Sequence, residues 1–192
     1  GPAGDTGISG IEGTSSGASI ITTEVESPFN TTVLLNSLRI GKSLSLPAFT
    51  VLNGKVDSFM DESGIEFATY GDGSTGHIVE PGVLDSTLGQ TLTLQSKTII
   101  ANKVPTRAHL VLLKQDVDII ELNSDLRGFV SRDGGVTWAE IIFSDVGKFD
   151  DSTRIIVGTH PFSGEPAGTL MKYSITSNSK KLKLKGVALE WK

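Results

Sequence analysis

Between Thr91 and Trp191 the chain keeps alternating apolar and polar residues with a period of two, and no other pattern in it constrains the fold as tightly. The alternation is clear in Thr91-Leu92-Thr93-Leu94-Gln95, Asp116-Val117-Asp118-Ile119, Met171-Lys172-Tyr173-Ser174-Ile175-Thr176 and Lys181-Leu182-Lys183-Leu184-Lys185. Successive side chains of a strand point to opposite faces, so these stretches read as half-buried antiparallel strands. Further apolar runs at Ala108 to Leu113, Ile120 to Leu122, Leu126 to Val130, Trp138 to Phe143, Ile155 to Val157 and Val187 to Trp191 bring the expected strands to about ten, spaced at roughly 8 to 12 residues. Leu52-Asn53-Gly54-Lys55 reads as a hairpin and Ser163-Gly164-Glu165-Pro166 as a loop between strands, while Pro47 restricts Leu44 to Val51 to an edge strand or extended linker. The pattern predicts an all-β fold, an antiparallel β-sandwich or jelly-roll-like knob. Leu34, Leu35 and Leu38 also fit helical spacing over Val33 to Ile40, but this reading assigns them to a small N-terminal β region.

A second pattern opens the chain. Gly1, Gly4, Gly7, Gly10 and Gly13 recur at every third position, with Pro2 in the second slot of the first triplet. This is collagen register: three polyproline-type chains crowd one axis where only a residue without Cβ fits. So few triplets with one proline cannot hold a triple helix alone, so the stretch reads as the lower end of a longer stalk above a trimerising domain. The register therefore predicts a homotrimer; the alternative is a flexible glycine-rich leader. Thr14 to Ser19 is a polar link. The expected organisation is a collagen-like stalk end and linker over residues 1–19, a small N-terminal β region over 20–55, and the main sandwich over 56–192.

Composition narrows the chemistry. The 192 residues supply one sizeable core, and the absence of cysteine excludes disulfides, thiolate metal sites and thiol nucleophiles. Seventeen basic against twenty-two acidic residues give a formal charge of -5, the wrong sign for a protein that must neutralise nucleic-acid phosphates. No apolar run approaches the roughly 18 residues needed to span a bilayer, and no secretion leader opens the sequence; a soluble protein without membrane insertion is expected.

Catalytic and metal patterns are sparse. His77, His109 and His160 show no ligand spacing, and His109 reads as a satisfied structural side chain inside a strand. No metal or cofactor is expected. The acids Asp61, Glu62, Glu66, Asp72, Asp150 and Asp151 could in principle supply opposed carboxylates, but neighbouring strand residues face opposite ways and acidic turn residues are ordinary. No nucleophile elbow, phosphate loop or dinucleotide fingerprint is present, so the chain is not expected to be an enzyme. Lys181, Lys183 and Lys185 share one strand face opposite Leu182 and Leu184, and with Lys180 read as a solvated, edge-protecting stripe.

Ser131-Arg132-Asp133-Gly134-Gly135-Val136-Thr137-Trp138 resembles the Asp box of sialidases and related β-propellers. The resemblance implies a structural hairpin: an Asp carboxylate accepts backbone N–H groups in the turn, glycine supplies positive φ, and the aromatic residue locks the turn to the core. One copy in a chain this short does not make a propeller. Leu92 through Thr98, Val104 through Leu112, Leu122 through Gly135 and the ending Lys185-Gly186-Val187-Ala188-Leu189-Glu190-Trp191 look like the C-terminal domain of bacteriophage tail-fibre and baseplate structural proteins. The resemblance implies a homotrimeric virion fibre whose tip adsorbs to a bacterial surface carbohydrate, capsule or lipopolysaccharide, with other tail proteins as partners. It carries over no catalytic or receptor residues. The alternatives are a purely structural baseplate or connector protein and a capsule depolymerase. On loop position and chemistry, the expected receptor contacts are Tyr70, Asp72 and His77 in the glycine-rich stretch Tyr70 to His77.

Overall fold

A computed structural model of the chain describes residues 28–75, 78–85 and 90–192. The glycine triplets, the polar link and His77 lie outside the described residues. Within them one helix, α1 (Thr31–Ser43), precedes fourteen strands: β1 (Ala48–Val51), β2 (Gly54–Asp57), β3 (Ile65–Tyr70), β4 (Ile78–Glu80), β5 (Val83–Asp85), β6 (Leu92–Ser96), β7 (Ile99–Ile100), β8 (Arg107–Asp116), β9 (Leu126–Ser131), β10 (Ala139–Ile141), β11 (Ser144–Lys148), β12 (Arg154–Pro161), β13 (Leu170–Ser177) and β14 (Leu182–Trp191). They form two antiparallel sheets. One has the order β1-β2-β14-β8-β12-β11, with β4 and β5 attached through β14; the other has the order β10-β9-β13-β6-β3, with β7 on β13.

The main core lies between the sheets. Leu92 and Leu94 of β6, Val130 of β9, Met171, Tyr173 and Ile175 of β13 face Ala108, Leu110 and Leu112 of β8 and Leu182, Leu184, Val187, Leu189 and Trp191 of β14. The inward set of β14 changes from even to odd numbers at a register shift between Leu184 and Gly186. Gly186 has φ 154°, and the extra residue there turns the second half of the strand over, so both halves bury their apolar side on the same core.

Leu110-Val111-Leu112-Leu113 has no alternation because β8 is covered on both sides. Val111 and Leu113 face away from the sandwich into a second cluster with Leu34 and Leu38 of α1, Val56, Ile155 and Ala188. The expected small β region over 20–55 is thus corrected in part: β1 is present, but Thr31–Ser43 is helical. Asn30 caps it, its Oδ1 accepting the Val33 N–H at 3.2 Å, and Leu34, Leu38 and Gly41 are its buried stripe. Lys55, where a boundary was expected, lies inside β2, which pairs with β14 through Val187↔Asp57 and Glu190↔Gly54. Two expected strands are irregular segments: β8 ends at Asp116, and Leu122 forms only an isolated bridge with Leu126. The hairpin at Asn53-Gly54 is present, with Asn53 at φ 52° and Val51↔Gly54 closing it, and β1 with its preceding Pro47 sits at the sheet edge.

His109 is a satisfied structural histidine. Its Nδ1 lies 2.9 Å from Thr159 Oγ1, its Nε2 lies 3.0 Å from Thr31 Oγ1, and its ring stacks on Phe29. Burial pushes the imidazole down to about 4. Folding stability from this group is complete above the unfolded value of 6.5 and is lost as the pH falls toward 4, because the unfolded chain takes up a proton that the folded chain excludes. Asp57, buried with one carboxylate oxygen unpartnered and pushed up by that burial to about 6, works the opposite way.

Two outcomes follow from this packing. Leu38→Ala should cost about 2–5 kcal/mol in urea unfolding, since it opens a cavity between α1 and β8; a loss below about 1 kcal/mol would show that the helix is not anchored there. His109→Gln should flatten the fall in stability between about pH 6.5 and about pH 4.5 relative to the parent protein, and an unchanged difference across that interval would show that the ring is not held neutral.

Candidate carbohydrate-binding face

The outer face of the sheet β10-β9-β13-β6-β3 follows from strand parity. Because Ala139 and Ile141, Gly128 and Val130, Met171, Tyr173 and Ile175, Leu92 and Leu94, and Ala68 and Tyr70 point inward, the residues between them point out. The registers line the outward residues into rows across the strands. Glu140↔Phe129, Phe129↔Ser174, Ser174↔Gln95 and Gln95↔Phe67 make one row spanning all five strands. Arg127↔Thr176, Thr176↔Thr93 and Thr93↔Thr69 make the row beside it. Phe129 is half-buried and Phe67 is 38% exposed.

Trp138 is brought over this face by the turn between β9 and β10. The Asp133 carboxylate is the hub. Its Oδ1 accepts the N–H groups of Val136 at 3.1 Å and Thr137 at 3.0 Å, and the Ser131 hydroxyl donates to it at 2.7 Å. The Thr137 hydroxyl donates to Oδ2. Ser131 Oγ accepts the Gly135 N–H at 2.9 Å. Partial burial works against the charge, but these hydrogen bonds outweigh it and hold the Asp133 carboxyl at about 2. Gly134 at φ 79° and Gly135 at φ 89° take the left-handed positions. A Cβ on Gly135 would stand 3.0 Å from Trp138 Cζ2, so the absent side chain is what lets the indole fold back across the turn. The turn is tied to β13 by Gly134 N–H to Leu170 O at 2.9 Å and Leu170 N–H to Arg132 O at 3.1 Å.

The Asp-box resemblance implied that the aromatic residue locks the turn to the core. Ala139 takes the first inward place of β10, so Trp138 is half-buried on the outside of the sheet. There it forms, with Phe129, Gln95, Ser174 and Thr176, the walls and floor of an open cleft of about 190 Å³. Indole and phenyl faces beside amide and hydroxyl groups supply what a sugar ring needs, an apolar platform for its C–H face and hydrogen-bond partners for its hydroxyls.

The face carries two ion pairs. Arg127 Nε and Nη2 each donate to one Glu140 oxygen at 2.7 Å, and the guanidinium lies 5.1 Å from the Phe129 ring centre. Arg127's hydrogen bond holds the Glu140 carboxyl below its ordinary value. Lys172, itself buried, pairs with Glu66.

The residues expected as receptor contacts are not gathered into one exposed site. Tyr70 points inward into the core, its hydroxyl donating to the Asp85 carbonyl at 2.6 Å. Asp72 is exposed but stabilises its own turn, accepting the Ser74 N–H at 2.9 Å, the Ser74 hydroxyl at 2.6 Å and Gln90 Nε2 at 3.1 Å. His77 lies outside the described residues. Sequence reasoning missed Trp138, Phe129, Gln95, Ser174 and Thr176 as a set, although the alternation around Ala139 and Ile141 already places Trp138 outward.

No protein-family model matches the chain, and no curated protein matches it. Among solved structures it is similar to the Podospora anserina GH26-CBM35 β-(1,4)-mannanase, at 13% identity over 73% of this chain and 28% of that one, with TM-score 0.37. It is similar to the enzymatically active domain of bacteriophage CBA120 tailspike protein 4, at 11% identity over 74% of this chain and 20% of that one, with TM-score 0.38. A CBM22-1 xylan-binding domain from Paenibacillus barcinonensis shares 14% identity over 77% of this chain and 86% of that one, with TM-score 0.30. The chain thus spans less than a third of the mannanase and tailspike chains.

Asp133→Asn should lower stability by about 1–2 kcal/mol, because an amide cannot accept all the N–H and O–H bonds that the carboxylate holds. The contribution of the Asp133 charge is present above the ordinary 3.8 and disappears as the pH falls through about 2. The check is chemical denaturation together with the near-ultraviolet dichroism of Trp138; an unmoved tryptophan signal would show that the turn does not position it.

Proposed function

We propose that the chain is the receptor-binding tip of a bacteriophage tail fibre, adsorbing to a bacterial surface polysaccharide through the outer face of the sheet β10-β9-β13-β6-β3. The observation that carries the reading is the cleft in which Trp138 and Phe129 stand beside Gln95, Ser174 and Thr176. Aromatic side chains left half-exposed on a sheet face, with their polar neighbours aligned in register, fit a ligand that is apolar on its ring faces and polar at its edges. The tail-fibre context is supported by the resemblance of the C-terminal half and by the glycine triplets at the start of the chain.

In this reading the protein binds without cleaving. Glycoside hydrolysis needs one carboxyl that keeps its proton and a second that is free to attack or to activate water. Glu140 is chelated through both oxygens by Arg127, which disfavours its protonation, and Glu66 is occupied by Lys172. Three chains sharing a stalk would present three such faces. Weak individual contacts then become lasting attachment through effective concentration.

Trp138→Ala tests the reading. Retention on polysaccharide-containing native gels, and labelling of bacterial cells that carry the polymer, should fall by about tenfold or more, while the unfolding midpoint stays close to that of the parent. Trp138→Phe should recover part of the binding. Retention by Trp138→Ala equal to the parent would remove this face as the receptor site.

A further inference from the structure

Only four charged residues occur in the strands that make this face: Glu66 in β3, Arg127 in β9, Glu140 in β10 and Lys172 in β13. They are two bases and two acids, and each base is joined to an acid, Arg127 to Glu140 and Lys172 to Glu66. Neither cation is at liberty. Arg127 already has two parallel bonds to a carboxylate, the strongest arrangement a guanidinium makes, and Lys172 is buried, its side chain lying against the turn at Gly135. A uronate, sulfate or phosphate group on a ligand would have to displace Glu140 from Arg127 and would then lie beside that freed carboxylate. The positions between the pairs are Phe129, Ser174, Gln95, Thr176, Thr93 and Phe67, all uncharged.

The aromatic residues are not all at one place. Trp138 and Phe129 stand at the β10-β9 end of the row, and Phe67 stands on β3 at the other end. From β9 through β13 and β6 to β3 is three inter-strand steps, roughly 14 Å at about 4.8 Å each. Ser174 and Gln95 fill the interval, giving hydroxyl and amide groups between two apolar platforms.

We infer that the face is built for an uncharged polysaccharide chain lying across the strands, with one sugar on Trp138 and Phe129, another on Phe67, and the linking residues over Ser174 and Gln95. This rests on the carbohydrate-binding reading above and goes beyond it in charge class, direction and length. Polyanionic glycans are disfavoured because the face has no cation left to offer them. A disaccharide is too short to reach both platforms.

The test is titration calorimetry of the full chain with neutral gluco-, manno-, galacto- and xylo-oligosaccharides from disaccharide to hexasaccharide, and with oligogalacturonate and hyaluronate of matching length. The expected result is binding of at least one neutral series. Its affinity rises with length until both platforms are bridged, then levels, and changes less than about twofold between low salt and about 1 M NaCl. Phe67→Ala should weaken the longer members by about tenfold and leave the disaccharide unchanged, whereas Trp138→Ala should weaken every length. Three results would overturn the inference alone, leaving the broader reading intact provided Trp138→Ala still weakens binding. They are preference for the anionic series with steep loss in salt, affinity independent of length, and indifference of every length to Phe67→Ala. Absence of binding by either series, or binding that Trp138→Ala leaves untouched, overturns both.

Discussion

Strands β8 and β14 pair along almost their whole length, from Leu182↔Asp116 to Trp191↔Ala108, and both are buried on their two faces. Full burial of a leucine is worth about 1.5–3 kcal/mol, so Leu110, Leu112, Leu113, Leu182, Leu184 and Leu189 together make this pair the anchor of the molecule. A strand pair apolar on both sides needs a cover on each. The sheet β10-β9-β13-β6-β3 is one cover and α1 the other. That sheet spends its inward residues on the shared core, and its outward residues are therefore available for something other than folding.

What occupies those outward positions is not a generic soluble surface. Threonine and aromatic residues are ordinary in strands; what marks these rows is that the charges are few and matched, and that phenylalanine, tryptophan, glutamine and serine stand beside the threonines. Placing Trp138 costs a turn with two left-handed glycines, and the Asp133 carboxylate stabilises that turn through the amides it accepts. The same turn is tied to β13, so the indole is held by the sheet it overhangs and not by a free loop. Rigid placement lowers the ordering cost of binding, which in the proposed carbohydrate-binding role would count for a ligand whose individual contacts are weak.

Most of the strands were legible because alternation encodes them directly. The segments Leu92 to Gln95, Met171 to Thr176 and Leu182 to Lys185 lie in strands with their apolar side chains inward, and the two-residue hairpin before Gly54 was announced by its Asn-Gly pair. The helix was harder to read. Its apolar signal is three leucines, and its stability comes from packing Leu34 and Leu38 on β8, a contact far away in sequence. The continuous run Leu110 to Leu113 could not announce which residue faced which cover. Asp116 to Ile119 alternates yet leaves the ladder after Asp116, where Val117 and Asp118 both give their N–H groups to the one Lys181 carbonyl instead of continuing a strand register. At the site, loop position drew attention to Tyr70, but the bulge between Ile65 and Phe67 sets the parity that turns Tyr70 inward and Phe67 outward. That reversal depends on cross-strand register, which the local sequence does not carry.

Backbone amide shifts of the isotope-labelled chain, followed by nuclear magnetic resonance during addition of a neutral oligosaccharide, test the central claim most directly. The account predicts perturbations concentrated at Phe129, Trp138 and its indole N–H, Gln95, Ser174 and Phe67, with the turn from Gly71 to Thr75 and the α1 side of the molecule unmoved. Perturbations centred on that turn, on α1 or on the β1–β2 hairpin, with the outer face silent, would contradict it.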